Sequence, residues 1–386
     1  MRVGAPYTGR VYRRAWTLLV GNAVLIGVAA IVVAIACGKH LIDPDGSFLG
    51  PSWLRLPLLL GAALLVDFLP RALWFSRGNP KLMPAVVRER WRTHWDRDRL
   101  TLVGMGVVAF YVVYVSYRNL KSFLPFVRDA QYDRELHLLD RALLFGHDPA
   151  VLLHHALGQG FMAWFLSYVY LWFLPLVPLA VTAWIVWSRN LSHGYWFVAS
   201  QCIAWTLGTA SYYALPTLGP GLQYPWLYEG LPKTPTSQLM DSLVNGRHTV
   251  LWAGVGDAVQ SVAGFASLHV GITLLVALMV QYTTRMRWLQ LVAWVNFAFT
   301  SVATLYFGWH YIADDVAGVM IALSSFWLGG IASGQRFDRR RPASGEPAPT
   351  PAVTAAALAR RTPSGPGAPA GTAVGRTRST PLHRPE

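Results

Sequence analysis

His310 and Asp314 stand four residues apart, one turn of an α-helix, so their side chains share a face. A carboxylate so placed accepts a hydrogen bond from one imidazole nitrogen and leaves the other nitrogen's lone pair free. That is the nucleophile-and-orienter arrangement of covalent catalysis. A second histidine, His269, opens an earlier apolar segment directly after Ser267-Leu268. Coming from a different segment, it suits a partner that gives or takes a proton on the opposite side of a reacting atom. A helix beginning near Ser267 would also turn free amides toward an anion. Ionisable groups are costly within apolar segments and mark function by default, so these residues form the first candidate site.

The elements that must position them are membrane helices. The 386 residues are 53% hydrophobic and only 13% charged, about half the charged share of an ordinary soluble domain. About eight stretches approach the roughly 20 apolar residues needed to cross a bilayer as helix. They are Trp16–Cys37, Trp53–Trp74, Leu100–Tyr117, Met162–Trp187, Tyr195–Leu215, Ala266–Tyr282, Trp288–Phe307 and Ile312–Ala332. None alternates as a barrel strand does, so backbone hydrogen bonding in lipid requires helices. The expected fold is all-α, a polytopic transmembrane bundle.

The net charge of +14 reports topology. Arg10, Arg13 and Arg14 precede the first span, and Arg77, Lys81, Arg88, Arg90, Arg92, Arg97 and Arg99 separate the second from the third. Arg189 follows the fourth, Arg285 and Arg287 follow the sixth, and Arg336, Arg339, Arg340 and Arg341 follow the eighth. With eight crossings all of them fall on one side, which the positive-inside rule makes the cytoplasm. Both termini are then cytoplasmic in a cell-membrane protein, with His269, His310 and Asp314 at the extracytoplasmic edge. The basic residues form no groove or recognition helix, so no nucleic-acid partner is expected.

Three regions follow: 1–99, two helices and a basic linker; 100–334, a six-helix catalytic domain; and 335–386, a basic Pro/Ala-rich tail expected to be disordered and cytoplasmic. Between spans, Arg118–Gly160 reads as an outer loop whose Leu136, Leu138, Leu139, Leu143 and Leu144 suit a helix lying at the interface. Pro216–Gly264 is rich in Pro, Gly, Trp and Tyr and suits the headgroup layer. Cys37 and Cys202 are too isolated for a disulfide framework or a metal cage.

The motifs Ala266-Ser267-Leu268-His269 and Ala303-Thr304 followed by His310 and Asp314 resemble the type 2 phosphatidic acid phosphatase superfamily, whose later signatures run P-S-G-H and S-R-x5-H-x3-D. The flanks, with Tyr306, Tyr311, Tyr213, the Pro216–Pro220 turn and the upstream Leu139-Asp140, Leu144-Phe145-Gly146 and Pro149, look more like its inositolphosphotransferase branch, which includes inositol phosphorylceramide synthases. The resemblance covers roughly Leu100–Ala332 and implies that the last six helices form the family's catalytic core.

It further implies that His310 attacks phosphorus to form a phosphohistidine, that Asp314 orients it, and that His269 protonates the leaving alkoxide and then deprotonates the acceptor. Ser267 would donate to a phosphoryl oxygen. The substrate would be a phospholipid or polyprenyl phosphate and the acceptor a lipid alcohol or water, with neither metal nor cofactor. Transfer of an inositol-phosphate-like headgroup is the first expectation and phosphatase action the alternative. Thr304 stands at the family's arginine position, and phosphoryl transfer needs positive charge at the equatorial oxygens. Arg118, Lys121 and Arg247 are the candidate cations; Thr304 and Tyr213 complete the substrate-binding set.

Other residues have plainer readings. Asp67 lies one turn before Arg71 and suggests a structural ion pair. His147, His154 and His155 read as solvated interfacial histidines rather than metal ligands. Asp315 reads as support for Asp314. Two further functional classes fit an intramembrane His/Asp set: a transporter or proton-coupled channel, and a metal-dependent oxygenase or hydrolase. The clustering of the three groups at one edge, without interrupted helices in matching halves, favours the enzyme.

Overall fold

The computed structural model describes residues 12–43, 52–252, 264–335 and 337, with the backbone alone at 51–57, 59–60 and 247–252 where these fall within that range. The tail expected at 335–386 lies, apart from Gln335 and Phe337, outside the described residues. Among the described residues every regular element is helical. Five helices are long and apolar enough to cross a membrane: α1 (Arg13–Ala36), α4 (Arg97–Val127), the continuous run Phe161–Trp187, α13 (Arg287–Tyr306) and α14 (Ile312–Ala332). The run 161–187 comprises α7 (Phe161–Leu171), α8 (Phe173–Thr182) and a π-helical turn at Ala183–Trp187. α2 (Ser52–Phe75), α9 (Leu191–Ala214) and the shorter apolar α12 (Leu268–Thr283) occupy the remaining expected spans. The fold is an all-α transmembrane bundle.

α9 stands at the centre, packed against α1, α4, α12 and α14. Its residues are buried almost all round, with Ser200, Gln201 and Thr209 among them, as expected of a helix that sees protein on every side. α12 and α14 cross where two glycines meet. A Cβ on Gly271 would lie 2.9 Å from the Gly318 carbonyl oxygen, and one on Gly318 would collide with the Ser267 carbonyl. Small residues let helix backbones approach closely where lipid supplies no hydrophobic driving force.

α4 differs from the expectation. The apolar pattern ends at Tyr117, yet the helix continues to Val127, so Arg118 and Lys121 are helical rather than part of an outer loop. At 1.5 Å per residue, 31 residues span about 46 Å, well beyond a roughly 30 Å hydrocarbon core. Its last turns therefore suit the headgroup layer. Asp96 starts it, accepting the Arg99 amide at 2.8 Å.

Within the basic linker that follows α2, α3 (Met83–His94) is bolted to α2 by a buried carboxylate. Asp67 accepts not only from Arg71 Nε at 3.1 Å, but also from Arg90 Nε and Nη2, each at 2.9 Å, and from Trp95 Nε1 at 3.0 Å. The π-turn exposes carbonyls that earlier residues satisfy: Arg99 donates to Ile185 O at 3.0 Å, and His94 Nε2 lies 2.8 Å from Val186 O.

Two short helices, α5 (Asp133–Leu143) and α6 (Pro149–Leu157), flank the entrance to α14 and pack on α14 and α13 respectively. α5 is amphipathic as expected, but its polar face is not simply solvated. Asp133, Leu136 and Asp140 are buried, while Leu138, Leu139 and Leu143 are exposed. The carboxylates turn inward because backbone amides wait there. α10 (Pro220–Gln223), a 3-10 turn at Pro225–Leu227 and α11 (Pro235–Trp252) complete the second loop.

The glycine crossing yields a direct expectation. Gly318→Ala should destabilise the protein by about 1–3 kcal/mol, the usual cost of overpacking, because rigid backbone rather than a flexible side chain must yield. Thermal unfolding in detergent or nanodiscs measures it. An unchanged midpoint would remove the close crossing as a constraint.

Candidate functional site

The site forms where the N-termini of α12 and α14 meet. Ser267 is the N-cap of α12, its hydroxyl accepting the Val270 amide at 3.4 Å, and its own amide donates to the Asp314 carbonyl at 2.9 Å. Ala266, just before it, is fully buried at φ +72, a left-handed conformation rare for residues with a Cβ and a store of local strain. That strain turns the chain so that His269 emerges on the first turn of α12.

The approach to α14 uses a second left-handed residue. Gly308 has φ +71, and a Cβ there would collide with the Tyr228 ring and lie 2.7 Å from the Gly221 amide nitrogen. The Gly221 amide donates to the Gly308 carbonyl at 2.7 Å, docking the second loop onto the turn. His310 follows. Its Nδ1 lies 3.1 Å from Asp314 Oδ2, and the same oxygen accepts the Tyr311 amide at 3.1 Å. Facing a carboxylate, Nδ1 is placed to donate, and in that tautomer Nε2 keeps its lone pair. Asp314 is fully buried.

His269 is held by aromatic stacking. Its ring lies 4.2 Å from Tyr170 at 13° and 4.1 Å from Phe173, and Tyr170 stacks in turn on Trp309 at 5.2 Å. Such face contacts, one parallel and one tilted by 34°, fix a ring without saturating its nitrogens. Both imidazoles line one cavity of about 200 Å³, together with Arg118, Lys121, Tyr212 and Leu268. Lys121 Nζ sits 5.4 Å from the Tyr212 ring centroid and 5.9 Å from that of Tyr117, so it approaches the cavity over aromatic faces.

The remaining sequence candidates fall elsewhere. Thr304 is buried behind the site; its hydroxyl contacts Asp315 Oδ2 at 2.9 Å and the Ser301 carbonyl at 2.7 Å. Ser267 is likewise fully buried and serves the N-terminus of α12. Tyr213 points away, donating to the Leu120 carbonyl at 2.7 Å, while its neighbour Tyr212 lines the cavity. Arg247 lies on the backbone of α11, its side chain outside the described residues. His154 is buried with Nε2 2.9 Å from the Tyr306 carbonyl, and burial holds its pKa below the ordinary value. Among the described residues no group of three or more His, Cys, Asp or Glu is placed to hold a metal ion.

Sequence reasoning gave no role to the residues that hold the site, although Asp140 stood in the upstream element of the resemblance. Asp133 accepts from the Leu218 amide at 3.0 Å, the Gly219 amide at 2.9 Å and the Tyr311 hydroxyl at 3.0 Å. Asp140 accepts the Ile312 amide at 3.2 Å on both oxygens. The signal available was their spacing: seven residues is two helical turns, which puts both acids on one face with Leu136. Tyr170 gave no signal, being one aromatic residue in an apolar span.

A family model described as the PAP2 superfamily matches residues 134–328, half of the chain. The chain belongs to the PAP2 superfamily. The matched region runs from α5 through most of α14 and includes His269, His310 and Asp314. PAP2 membership brings a membrane phosphatase or phosphotransferase type of activity toward lipid phosphates. No curated protein and no solved structure matches the chain.

Two cations at the mouth of a cavity shared by two imidazoles should bind a phosphate mimic. Removing either charge, as Arg118→Ala or Lys121→Ala, should weaken orthovanadate binding at least ~10-fold, the scale of one charge-assisted hydrogen bond. Calorimetric titration of the protein in nanodiscs reads this directly, and unchanged affinity in both variants would move the anion site elsewhere.

Proposed function

We propose that this PAP2 protein is a membrane-embedded lipid phosphotransferase that works through a phosphohistidine on His310, moving an inositol-phosphate-like headgroup between lipids. The single observation that carries the reading is the shared cavity: His269 and His310, from two helices, line it together with Arg118 and Lys121, and Asp314 lies 3.1 Å behind His310.

The chemistry runs in two balanced halves. In the first, the Nε2 lone pair of His310 attacks phosphorus while the bond to the leaving alkoxide breaks, and His269 gives that oxygen its proton. Asp314 keeps the Nδ1 proton in place and stabilises the positive charge that the ring acquires. Arg118 and Lys121 offset charge on the equatorial oxygens, the role left vacant by Thr304. In the second half His269 takes a proton from the acceptor hydroxyl, whose oxygen attacks phosphorus and releases His310. Neither metal nor cofactor enters the scheme. Ser267 and Thr304 act from behind, through the start of α12 and through Asp315.

The inositolphosphotransferase reading rests on the flanking Tyr and Pro residues, and on a cavity lined by Tyr170, Phe173, Leu174 and Leu268, whose apolar walls disfavour water as acceptor. The topology that goes with it has both termini in the cytoplasm and the site at the outer face of the cell membrane, supported by the arginine distribution. The catalytic region is 100–334, preceded by the helices and linker of 1–99 and followed by the basic tail.

Incubation with phosphatidylinositol labelled in its headgroup, and separately with phosphatidic acid labelled in its phosphate, tests the proposal. His310→Ala should abolish turnover and an acid-labile, base-stable label on the protein, whereas His269→Ala should still accumulate label slowly. Turnover retained in His310→Ala ends the nucleophile assignment. Inorganic phosphate as the sole product from every donor ends the transfer reading and leaves a phosphatase.

A further inference from the structure

α14 has no capping side chain of its own for its first amide; the carboxylate comes from another helix. Asp140, on α5, is 2% exposed and presents both oxygens to the Ile312 amide at 3.2 Å, across 172 positions of sequence. The next amide back, Tyr311, is bound by Asp314 at 3.1 Å, and the Tyr311 hydroxyl is bound by Asp133 at 3.0 Å. The turn carrying His310 is therefore gripped by two carboxylates of α5, one on its backbone and one on its side chain. Behind His310, away from the cation-lined cavity, lies a second space of about 10 Å³ bounded by Asp140, His137, Asp148, Tyr228 and Tyr311, about the volume one water needs.

We propose that Asp140 is a positioning residue whose ionised form sets the first turn of α14, and through it the His310 ring, so that anion binding and turnover rise as this carboxylate ionises. The inference rests on the phosphohistidine reading for its kinetic consequence only. The groups facing Asp140 are Asp314, Asp315 and His310 from the α14 region, Asp148 with His137 3.4 Å from it, Tyr311 and Tyr228. Burial pushes the Asp140 carboxyl up to about 7; Asp314 and Asp148 add to the rise and the Ile312 amide opposes it.

Two opposite pH dependences follow. A carboxyl raised from an ordinary value near 4 to about 7 holds its proton more tightly in the folded state. Its contribution to stability is full below about 4 and is lost as pH rises through 7. The ionised form, however, is the stronger acceptor for the Ile312 amide. Stability is thus lost mainly between about 4 and about 7, and positioning improves as the folded-state carboxyl ionises around 7.

The test uses the full chain in nanodiscs, with orthovanadate as the anion probe and dioctanoyl phosphatidic acid as the turnover probe. Asp140→Asn should weaken vanadate binding and lower kcat about tenfold, the scale of one hydrogen bond to a charged group, with KM little changed. It should flatten the rise of both between pH 6 and 8. Asp140→Glu should restore part of that rise. The melting-temperature difference, Asp140→Asn minus wild type, should grow from pH 5.5 to 8.5. A flat difference removes the titration. Vanadate affinity and kcat that keep the wild-type pH profile in Asp140→Asn, or a change in KM alone, remove the positioning role. Wild-type protein that binds vanadate but turns over no lipid phosphate sinks the proposed function while the vanadate arm still decides the role of Asp140.

Discussion

The backbone hydrogen bond from the Ser267 amide to the Asp314 carbonyl, 2.9 Å long, is the constraint from which the rest of the site follows. It can form only if α12 and α14 approach to backbone contact, which Gly271 and Gly318 permit. It requires the chain to enter α12 in a left-handed conformation at Ala266. Once it is made, the first turns of the two helices lie side by side, and residues two positions after Ser267 and four before Asp314 must face a common space. His269 and His310 are those residues. The convergence of two groups 41 positions apart is thus a consequence of helix packing, not of any contact between the rings themselves.

Polar side chains at this edge of the bundle have a common employment. Asp133, Asp140 and Asp314 each accept from backbone amides of another segment or of a helix start. The amides at a helix N-terminus have no intrahelical acceptor, and leaving them unmade away from water is expensive. A buried carboxylate has the opposite deficiency. Pairing them satisfies both and at the same time fixes loops that apolar packing alone would leave free to slide. The Asp67 cluster does the same work for α2 and α3 with arginines and an indole in place of amides.

Much of this was legible in the sequence. The span-length apolar segments coincide with helices because a segment in lipid has no other way to satisfy its backbone. His310 and Asp314 could be paired from spacing, but not for the reason the spacing suggested: His310 lies two residues before α14, off the helix, and Asp314 reaches back to it from the first turn. His269 could be assigned to the same site through topology, as its segment opens on the same side. What spacing could not disclose was which neighbours turn inward. Tyr213 and Tyr212 are adjacent, and only the rotation of α9 decides that Tyr212 lines the cavity while Tyr213 reaches the Leu120 carbonyl. The end of α4 was misplaced for a related reason. Hydropathy marks where lipid ends, not where the helix ends, and Arg118 and Lys121 continue the helix beyond the apolar stretch.

The placement of those two cations bears on why Thr304 can stand where an arginine is expected. A guanidinium at position 304 would start from α13 beside Asp315, whereas Arg118 and Lys121 line the cavity from α4. Thr304 instead forms a short link between α13 and α14 through Asp315, at 2.9 Å. The same exchange leaves the wall nearest the imidazoles to the rings of Tyr170, Phe173 and Trp309. Aromatic walls disfavour water on that side, and excluding water strengthens electrostatic contacts with any bound anion. On the proposed reading, drawing the charge from α4 changes more than its source: it leaves the aromatic wall to shape which face of the reacting phosphorus an acceptor can approach.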